Sequence, residues 1–369
     1  MQITIFGGTG SIGAYFAYRL VKALHNVTII GRDNSPNLKQ IAEIGLTIKF
    51  HNETVFVPNS DFAYVGAYNY STLTVKQDLV IISLKQPTFD ITIAQQLINL
   101  TDSHSIVGII SNGLPFYFLA NFNLGSKTHM EAVDPDGKIN QLMQSRQIMT
   151  VIPLMGSNIE SAGIVKVANH QDKIKTFVGG KFIDQAGLNL ISQAFNNSLI
   201  PNTISADINK ILLEKLQFAL AVNVMSALLD QVNGQVFQSE SNQNYIRYVI
   251  TFVNSLAKTL GVENLRDYSV FRALNISEAR YSSMHEDITN GKIPEVKVII
   301  SAPLELAYHF NVPVPTKPLE LVNELLLAKS NHIPVSLEQI HEIYNEAELA
   351  LEILGSNNGI CSNEFNFVF

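Results

Sequence analysis

Short runs rich in Ile and Val recur through the first 111 residues and constrain the fold more than any other feature. They are QITIF at 2–6, NVTII at 26–30, DLVIISL at 78–84 and SIVGIIS at 105–111. Runs without polar alternation are typical of parallel strands that are buried on both faces. Between the first two runs lies SIGAYFAYRLVKALH (11–25), whose apolar residues recur at helical spacing. The pattern predicts an α/β unit built on a doubly wound parallel sheet.

The character of the sequence changes near residue 208. Beyond it, strand-like runs give way to helical patterns that continue to about residue 330. LIPNTISAD at 199–207 has the Pro, Asn and Ser content of a linker. We therefore predict an N-terminal Rossmann-like domain with a doubly wound parallel sheet at 1–203 and an all-helical C-terminal domain at 204–369.

Three local signals refine this outline. LTIKFHNETVFV at 46–57 has the pattern of a β-hairpin. VDPDGK at 133–138 is typical of a turn, and its aspartates lack the further ligands of an EF-hand calcium loop. Ser336 and Gln339 have the spacing of a capping box, which predicts an extra C-terminal helix that stops at Gly355.

Composition excludes several classes of partner. The net charge is −7, and no run of Lys or Arg occurs, so nucleic acid and anionic membranes are excluded as partners. Cys361 is the single cysteine, which excludes an internal disulfide and fits a reducing compartment. MQITIFGG lacks the features of a signal peptide, and the apolar stretch at 216–229 is short for a membrane span. We predict a soluble cytoplasmic protein.

A glycine-rich loop, FGGTGSIG, follows the first predicted strand and opens the first predicted helix. Gly8, Gly10 and Gly13 satisfy the spacing G-x-G-x-x-G, while Gly7, Gly10 and Gly13 fit G-x-x-G-x-x-G. Bare backbone at this turn lets a pyrophosphate approach the N-terminal amides of the helix, where the dipole favours an anion. A glycine turn without a ligand is the alternative, but the strand–loop–helix context favours a dinucleotide. The predicted cofactor contacts are Gly8, Thr9, Gly10, Ser11, Ile12 and Gly13.

The end of the second predicted strand, TIIGRD, bears on which dinucleotide is bound. A site for NAD places a carboxylate there to hold the ribose 2′-hydroxyl. The chain instead has Gly31, which leaves room, followed by Arg32, which can pair with a 2′-phosphate. Asp33 is the competing interpretation, an acid of the NAD type displaced by two residues. The arrangement favours NADP, with Arg32 as the residue that selects it.

Polar residues also stand at other strand ends and on one helix. Lys85 in SLKQP and Asn112 in ISNGLP follow two predicted strands, and ligands of doubly wound sheets bind outside those ends. Lys215 and Asn223 lie eight residues apart in EKLQFALAVN, about 80° around a helix, with Ala219 between them. Because Lys215 lies in an apolar stretch, burial would lower its pKa and prepare it for proton transfer.

Together these motifs resemble the ketopantoate reductase (2-dehydropantoate 2-reductase) family. The resemblance rests on the glycine loop, the strand-end Lys, Asn-Gly, the helical Lys and Asn, and SSM with Glu295 twelve residues after its second serine. VNVMSAL and VPVP are further similarities, and the resemblance spans Met1 to about Ser330. It implies an NADPH-dependent reductase of a small 2-keto acid, ketopantoate first, that could form a homodimer.

The resemblance also implies roles for individual residues. Lys215 would protonate the carbonyl oxygen, and Glu295 would lie near that lysine, the substrate hydroxyl and the cofactor. Ser283 and Asn223 would hold the substrate. Lys85 and Asn112 would lie near the nicotinamide ribose, with Asn112 and Lys215 also contacting substrate.

Two departures from the family pattern bear on the substrate. The family usually has a second asparagine four residues after the catalytic lysine, where this chain has Ala219. A long segment, FYFLANFNLGSKTHMEAVDPDG (116–137), follows Asn112 and is lacking in compact members. Because a lost polar contact can change specificity strongly, a reductase of another keto acid or an imine is an alternative. A non-catalytic NADP sensor is a further one, although a sensor needs neither Lys215 nor Glu295.

The histidines and the cysteine lack the sequence spacing of a metal site or of a nucleophile with its base. The nine histidines show no paired spacing for a metal, so none is predicted. His285, two residues after Ser283, is interpreted as a helix-surface residue. Cys361 has no matched base and is interpreted as a bystander.

Overall fold

In a computed structural model of the protein, structure is described for residues 1–67, 75–85, 88–122, 127–169, 171–275 and 280–357. Cys361 lies outside these residues. The chain forms two compact units. The α/β unit comprises Met1–Ser111 and Asp136–Ile211, and the helical unit comprises Asn112–Pro135 and Leu212–Phe369. The sequence predicts one division after residue 203, whereas the segment Asn112–Pro135 lies with the helices and the later division follows Ile211.

Twelve strands are described in the α/β unit, and eight of them form one sheet in the order β12-β11-β8-β7-β6-β1-β2-β5. Neighbouring strands are parallel except β8 and β11, which are antiparallel. The four predicted Ile- and Val-rich runs are β1, β2, β6 and β7. The strands are β1 (Gln2–Phe6), β2 (Asn26–Gly31), β3 (Gly45–Lys49), β4 (Thr54–Pro58), β5 (Tyr64–Ala67), β6 (Leu79–Ile82), β7 (Ile106–Ile110), β8 (Gln147–Leu154), β9 (Ser157–Ser161), β10 (Ile164–Val167), β11 (Lys175–Phe182) and β12 (Asn202–Ile204).

Helix α1 fills the space against this sheet. Tyr15 and Phe16 of α1 are fully buried in one core with Ile3, Ile5 and Ile29 of the first two strands. Burial on both faces explains why these strands carry no polar alternation. The helices of the α/β unit are α1 (Ser11–Lys22), α2 (Pro36–Glu43), α3 (Ile91–Leu100), α4 (Lys138–Met143) and α5 (Gln185–Asn197).

A second sheet of four strands, in the order β4-β3-β10-β9, completes the α/β unit. The predicted hairpin at 46–57 is confirmed as the antiparallel pair β3 and β4. Strand β10 then pairs parallel to β3 and antiparallel to β9. This second sheet has no local signature in the sequence, because its β3–β10 pairing joins segments more than a hundred residues apart.

In the described part of the helical unit, two turns are π-helical, with hydrogen bonds that run to the fifth rather than the fourth residue. The first π turn is Ala219–Asn223 and the second is Lys297–Ser301. The α-helices are α6 (Ile208–Phe218), α7 (Val224–Leu229), α8 (Asn233–Gln238), α9 (Glu240–Thr259), α10 (Tyr268–Asn275), α11 (Ser283–Thr289), α12 (Ala302–His309), α13 (Lys317–Ser330) and α14 (Leu337–Asn357).

Helix α6, the first π turn and α7 form one continuous helix, Ile208–Leu229. Across the part of the chain that the structure describes, it is the one helix long and apolar enough to cross a membrane. Its most apolar window has a mean hydropathy of 1.5, and 72% of that window is buried inside the protein. Most of its apolar window is therefore packed inside the protein.

Helix α14 is the predicted C-terminal addition, although it continues to Asn357 and does not stop at Gly355. The Ser336 Oγ accepts the Gln339 N–H, and the Gln339 Oε1 accepts the Ser336 N–H, which confirms the capping box. The buried face of α14 includes Ile343 and Ala347, and the Tyr344 hydroxyl donates to the Asn242 Oδ1 on α9. An α/β sheet domain followed by a helical domain is thus the observed fold class.

Candidate active site

The glycine loop is a tight turn between β1 and α1. Gly7 has φ of 76°, in the left-handed region that favours glycine, and its N–H donates to the Ile30 carbonyl at 2.9 Å. The Gly10 N–H donates back to the Gly7 carbonyl at 2.9 Å. A Cβ added at Gly13 would lie 2.4 Å from the Gly7 carbonyl oxygen, so α1 approaches the loop at bare backbone. These contacts join Gly7, Gly10 and Gly13, and so favour the G-x-x-G-x-x-G pattern over the pattern that begins at Gly8. Gly7 is not among the predicted cofactor contacts.

The start of α1 fits a bound pyrophosphate. Gly10 is the N-cap of this twelve-residue helix, and no described side chain caps it. No acidic residue stands in the first turn. The backbone amides of Ser11, Ile12 and Gly13 therefore form a helix N-terminus that favours an anion.

The end of β2 differs in one respect from the sequence interpretation. A Cβ at Gly31 would lie 2.7 Å from the Thr9 Cγ2, so the room beside Gly31 is already filled by Thr9. This glycine is required by packing of the loop and does not by itself report on the cofactor. Arg32 and Asp33 are both exposed and follow directly. Lys85 is partly buried three residues beyond the end of β6, and its carbonyl accepts the Thr88 N–H at 2.8 Å.

Lys215 lies in the last turn of α6 within the helical unit and is partly buried. Burial lowers the pKa of Lys215 to about 8, and the negative charge of Glu295 opposes this shift. A lysine with this pKa exchanges its proton near neutral pH, which an ordinary surface lysine does not.

Glu295 is a buried carboxylate, 7% exposed, that stands just before the helix containing the second π turn. Its Oε2 accepts a hydrogen bond of 2.7 Å from the Asn112 Nδ2. Asn112 is partly buried and lies 183 residues away in the sequence. The structure thus brings together the predicted residues Asn112, Glu295 and Lys215 within one unit.

The first π turn begins at Ala219, four residues after Lys215, and ends at Asn223. The Val224 N–H donates to the Ala219 carbonyl, five residues back. Because a π turn uses more residues per turn than an α-helix, it reduces the offset of about 80° between Lys215 and Asn223. Ala219 is buried, with 2% exposed.

The second π turn contacts the segment that follows Asn112. The Leu114 N–H donates to the Val298 carbonyl at 2.9 Å. A Cβ added at Gly113 would lie 2.3 Å from the Val298 oxygen, so only glycine allows this approach without a shift. The Asn-Gly motif therefore has two separate tasks, since Asn112 binds Glu295 and Gly113 lets the backbone contact the π turn.

The two serines of SSM have different environments. Ser282 is buried, and its Oγ both accepts the His285 N–H at 3.1 Å and donates to the Asn223 carbonyl at 2.9 Å. Ser283 is exposed at the first residue of α11. Ser282 was absent from the sequence prediction, although a serine before a helix start is a recognisable N-cap signal. It links the helix bearing Ser283 to the backbone of Asn223.

His285 is less exposed than its interpretation as a surface residue suggests. Its side chain is 14% exposed, forms an ion pair of 3.3 Å with Asp230 and stacks on Tyr281 with ring centroids 4.1 Å apart. Asp230 also pairs with Lys329 at 2.8 Å. Across the described residues, no group of three or more His, Cys, Asp or Glu side chains could hold a metal.

Comparison with known proteins gives matches along most of the chain. The family model of ketopantoate reductase PanE/ApbA matches residues 3–175, and that of its C-terminal part matches 207–330. A 2-dehydropantoate 2-reductase of Mesorhizobium japonicum is 23% identical over 321 residues, covering 86% of this chain and 94% of that protein.

Solved structures share the fold at low sequence identity. A candidate ketopantoate reductase of Ralstonia solanacearum has a TM-score of 0.78 and 20% identity, covering 90% of this chain and 98% of that one. D-mandelate dehydrogenase with NADH and anilino(oxo)acetate has a TM-score of 0.72 and 19% identity, covering 90% of this chain and 100% of that one.

The resemblance noted from the sequence motifs is thereby confirmed. The chain belongs to the ketopantoate reductase PanE/ApbA family, a family of nicotinamide-dependent keto acid reductases.

Proposed function

We propose that this protein reduces a small 2-keto acid with NADPH, and that the substrate is ketopantoate, as in pantothenate and coenzyme A biosynthesis. The observation that supports this most directly is the buried Glu295, which accepts a hydrogen bond from Asn112 and opposes the lowering of the Lys215 pKa. A proton donor of suitable pKa and a carboxylate that keeps it charged are what carbonyl reduction requires of the protein.

In this mechanism the bound reduced nicotinamide supplies a hydride to the carbonyl carbon of the substrate. The Lys215 ammonium donates a proton to the carbonyl oxygen as negative charge develops there, so that the C=O group becomes an alcohol. Glu295 favours the charged form of Lys215, and Asn112 holds the Glu295 carboxylate in place. Asn223 and Ser283 bind the substrate carboxylate and hydroxyl. Neutral Lys215 then regains a proton from water.

The cofactor is held by the loop from Gly8 to Gly13, with Lys85, Asn112 and Glu295 as further contacts. The uncapped N-terminus of α1 supports binding of its pyrophosphate. The choice of NADPH rests on Arg32, which is exposed at the end of β2 and suited to a 2′-phosphate. Asp33 and the NADH in the mandelate dehydrogenase structure keep NADH as the alternative.

A reductase of another 2-keto acid is the second candidate, and Ala219 favours it. The buried methyl group of Ala219 offers no hydrogen bond where the family usually has asparagine, so recognition of a distal substrate hydroxyl would be lost. The D-mandelate dehydrogenase of similar fold, solved with NADH and anilino(oxo)acetate, is a precedent for a different substrate on this fold. An imine reductase and a non-catalytic NADP sensor are further alternatives.

The proposal extends to location and assembly. We expect a cytoplasmic enzyme, consistent with the net charge of −7 and one cysteine. A homodimer is the expected assembly, since a similar structure is that of a dimeric ketopantoate reductase from Staphylococcus aureus. Neither expectation affects the chemistry proposed for Lys215.

The test is oxidation of NADPH and of NADH by the purified protein, followed across ketopantoate, 2-ketoisovalerate, benzoylformate and pyruvate. We expect ketopantoate with NADPH to give the highest kcat/KM, and Arg32→Ala to weaken NADPH far more than NADH. Highest activity on benzoylformate would favour the second candidate. Cofactor binding without turnover of any of these acids would contradict the proposal and favour a sensor.

A further inference from the structure

The first π turn leaves one backbone carbonyl without its helical partner. In an α-helix the Val224 N–H would bind the Leu220 carbonyl, four residues back. It binds the Ala219 carbonyl instead. A buried carbonyl without a donor costs about 1–3 kcal/mol, so a donor from another helix can stabilise a turn of this kind.

Tyr245 supplies that donor. It lies on α9, is fully buried, and its hydroxyl donates to the Leu220 carbonyl at 3.1 Å. Burial raises the pKa of Tyr245 far above its usual range, so the hydroxyl retains its proton at any pH at which the protein works. The hydrogen bond to Leu220 is therefore constant with pH.

The second π turn has the same arrangement. The Ala302 N–H donates to the Lys297 carbonyl, five residues back, and so passes over Val298. The Val298 carbonyl accepts the Leu114 N–H. In both π turns the skipped carbonyl thus binds a donor from a distant segment of the helical unit.

Each π turn also adjoins a residue of the candidate site. The first lies between Lys215 and Asn223, and the second follows Glu295. If the Tyr245 hydroxyl is removed, the α-helical bond from Val224 to Leu220 becomes the way to satisfy that carbonyl. A return to α-helical winding would rotate Asn223 away from the face of Lys215.

We propose that Tyr245 is a positioning residue, which holds the π turn open and so orients Asn223 toward the substrate. The inference rests on the proposed function for the role of Asn223, but the claim about the π turn stands on its own geometry. Tyr245 touches neither substrate nor cofactor in this account and acts through the backbone of Leu220.

The variant Tyr245→Phe removes only the hydroxyl, and Tyr248→Phe is its matched control. Tyr248 lies on the same helix, is fully buried, and donates its hydroxyl to the Pro315 carbonyl at 2.6 Å. Tyr248→Phe loses the bond to Pro315 and a contact with the Leu319 N–H, whereas Tyr245→Phe alone loses the bond to the π turn. Melting temperatures and circular dichroism would confirm that both variants are folded.

Amide hydrogen exchange tests the structural claim without any substrate. Without the Tyr245 donor the segment is less stable and opens more often, so we expect peptides spanning 219–228 to exchange about tenfold faster in Tyr245→Phe than in Tyr248→Phe or the wild-type protein. Equal exchange in this segment for the two variants would overturn the inference, whatever the enzyme reduces.

Kinetics on the best 2-keto acid of the panel tests the functional claim. We expect KM for the keto acid to rise about tenfold in Tyr245→Phe, with KM for NADPH and the pH midpoint of kcat unchanged. If Tyr245 had only a structural role, kcat of both variants would fall in proportion to the amount of folded protein and KM would not change. That result would overturn the positioning role. A wild-type protein inactive on all keto acids would instead contradict the proposed function, and the exchange result would still decide the claim about Tyr245.

Discussion

At the scale of single residues, the proposed chemistry depends on two opposing effects on the pKa of Lys215. Burial favours the neutral amine, while Glu295 favours the ammonium. The resulting pKa of about 8 lies close to neutrality, so the lysine can give and regain a proton near neutral pH. Asn112 holds the carboxylate that tunes this balance.

The first prediction concerns pH. Because Lys215 donates a proton only in its charged form, kcat for keto acid reduction should fall as pH rises through about 8. Glu295→Gln removes the charge that raises the pKa, so the fall should move to lower pH. Lys215→Ala should lower kcat by about 10²- to 10⁴-fold with little change in NADPH affinity. The measurement is kcat against pH for the three proteins.

Two outcomes would contradict this assignment. Near-normal turnover in Lys215→Ala would exclude the lysine as the acid. A pH profile unmoved by Glu295→Gln would mean that the glutamate does not tune Lys215. The double variant should lose less than the sum of the single losses in free energy, because the two residues act as a unit.

At the scale of elements, the helices next to the site are locally widened. π turns are frequent at functional sites, and here they follow Lys215 and Glu295 closely. The second π turn depends on the backbone of the Asn-Gly motif, since the Leu114 N–H binds the Val298 carbonyl. The winding of the second π turn and the position of the segment around Gly113 are therefore linked by this hydrogen bond.

The element-scale prediction concerns Gly113→Ala. The added Cβ would lie 2.3 Å from the Val298 oxygen and must push the segment away from the π turn. We expect a loss of about 1–3 kcal/mol in the free energy of unfolding and a lower kcat, because Asn112 would move off Glu295. Chemical denaturation and steady-state kinetics measure the two effects.

Gly355→Ala is the control for this substitution. Gly355 is exposed in α14, and an added Cβ there meets nothing within 4 Å. It should be neutral or stabilising by up to about 1 kcal/mol, since alanine is the better helix former. If Gly113→Ala behaved like Gly355→Ala, the close approach to Val298 would not matter for stability or turnover.

At the scale of the whole molecule, the long segment after Asn112 belongs to the helical unit although it interrupts the α/β unit in sequence. Its beginning is held by Glu295 and Val298. Its end is held by Glu305 of α12, whose carboxylate accepts the N–H groups of Glu131 and Ala132, each at 2.9 Å. Buried aromatic residues lie between these anchors, namely Phe116, Tyr117 and Phe118.

The prediction at this scale concerns Glu305→Gln. Lys127 also pairs with the Glu305 carboxylate, at 2.8 Å, so the amide loses an ion pair and one of two backbone contacts. We expect a loss of about 1.5–3 kcal/mol in stability and faster hydrogen exchange at 127–135. Glu324→Gln, at an exposed position of α13, is the control and should change stability by less than about 0.5 kcal/mol. Unchanged exchange at 127–135 would show that Glu305 does not anchor the segment.

Local patterns in the sequence determined much of the fold. The strands β1, β2, β6 and β7, the hairpin of β3 and β4 and the capping box of α14 were predicted because each signal lies within a few consecutive residues. The glycine loop was predicted for the same reason, since turn, loop and helix start are contiguous. Candidate site residues were found through motif order, and their roles remain proposals.

Only the tertiary structure decided how those residues are connected. The bond from Asn112 to Glu295 spans 183 residues, and the bond from Ser282 to the Asn223 carbonyl spans 59. The π turns likewise depend on distant donors, Tyr245 and Leu114, that satisfy the skipped carbonyls. A sequence encodes propensity over a few neighbours, whereas a buried polar group must find its partner wherever the folded chain places one.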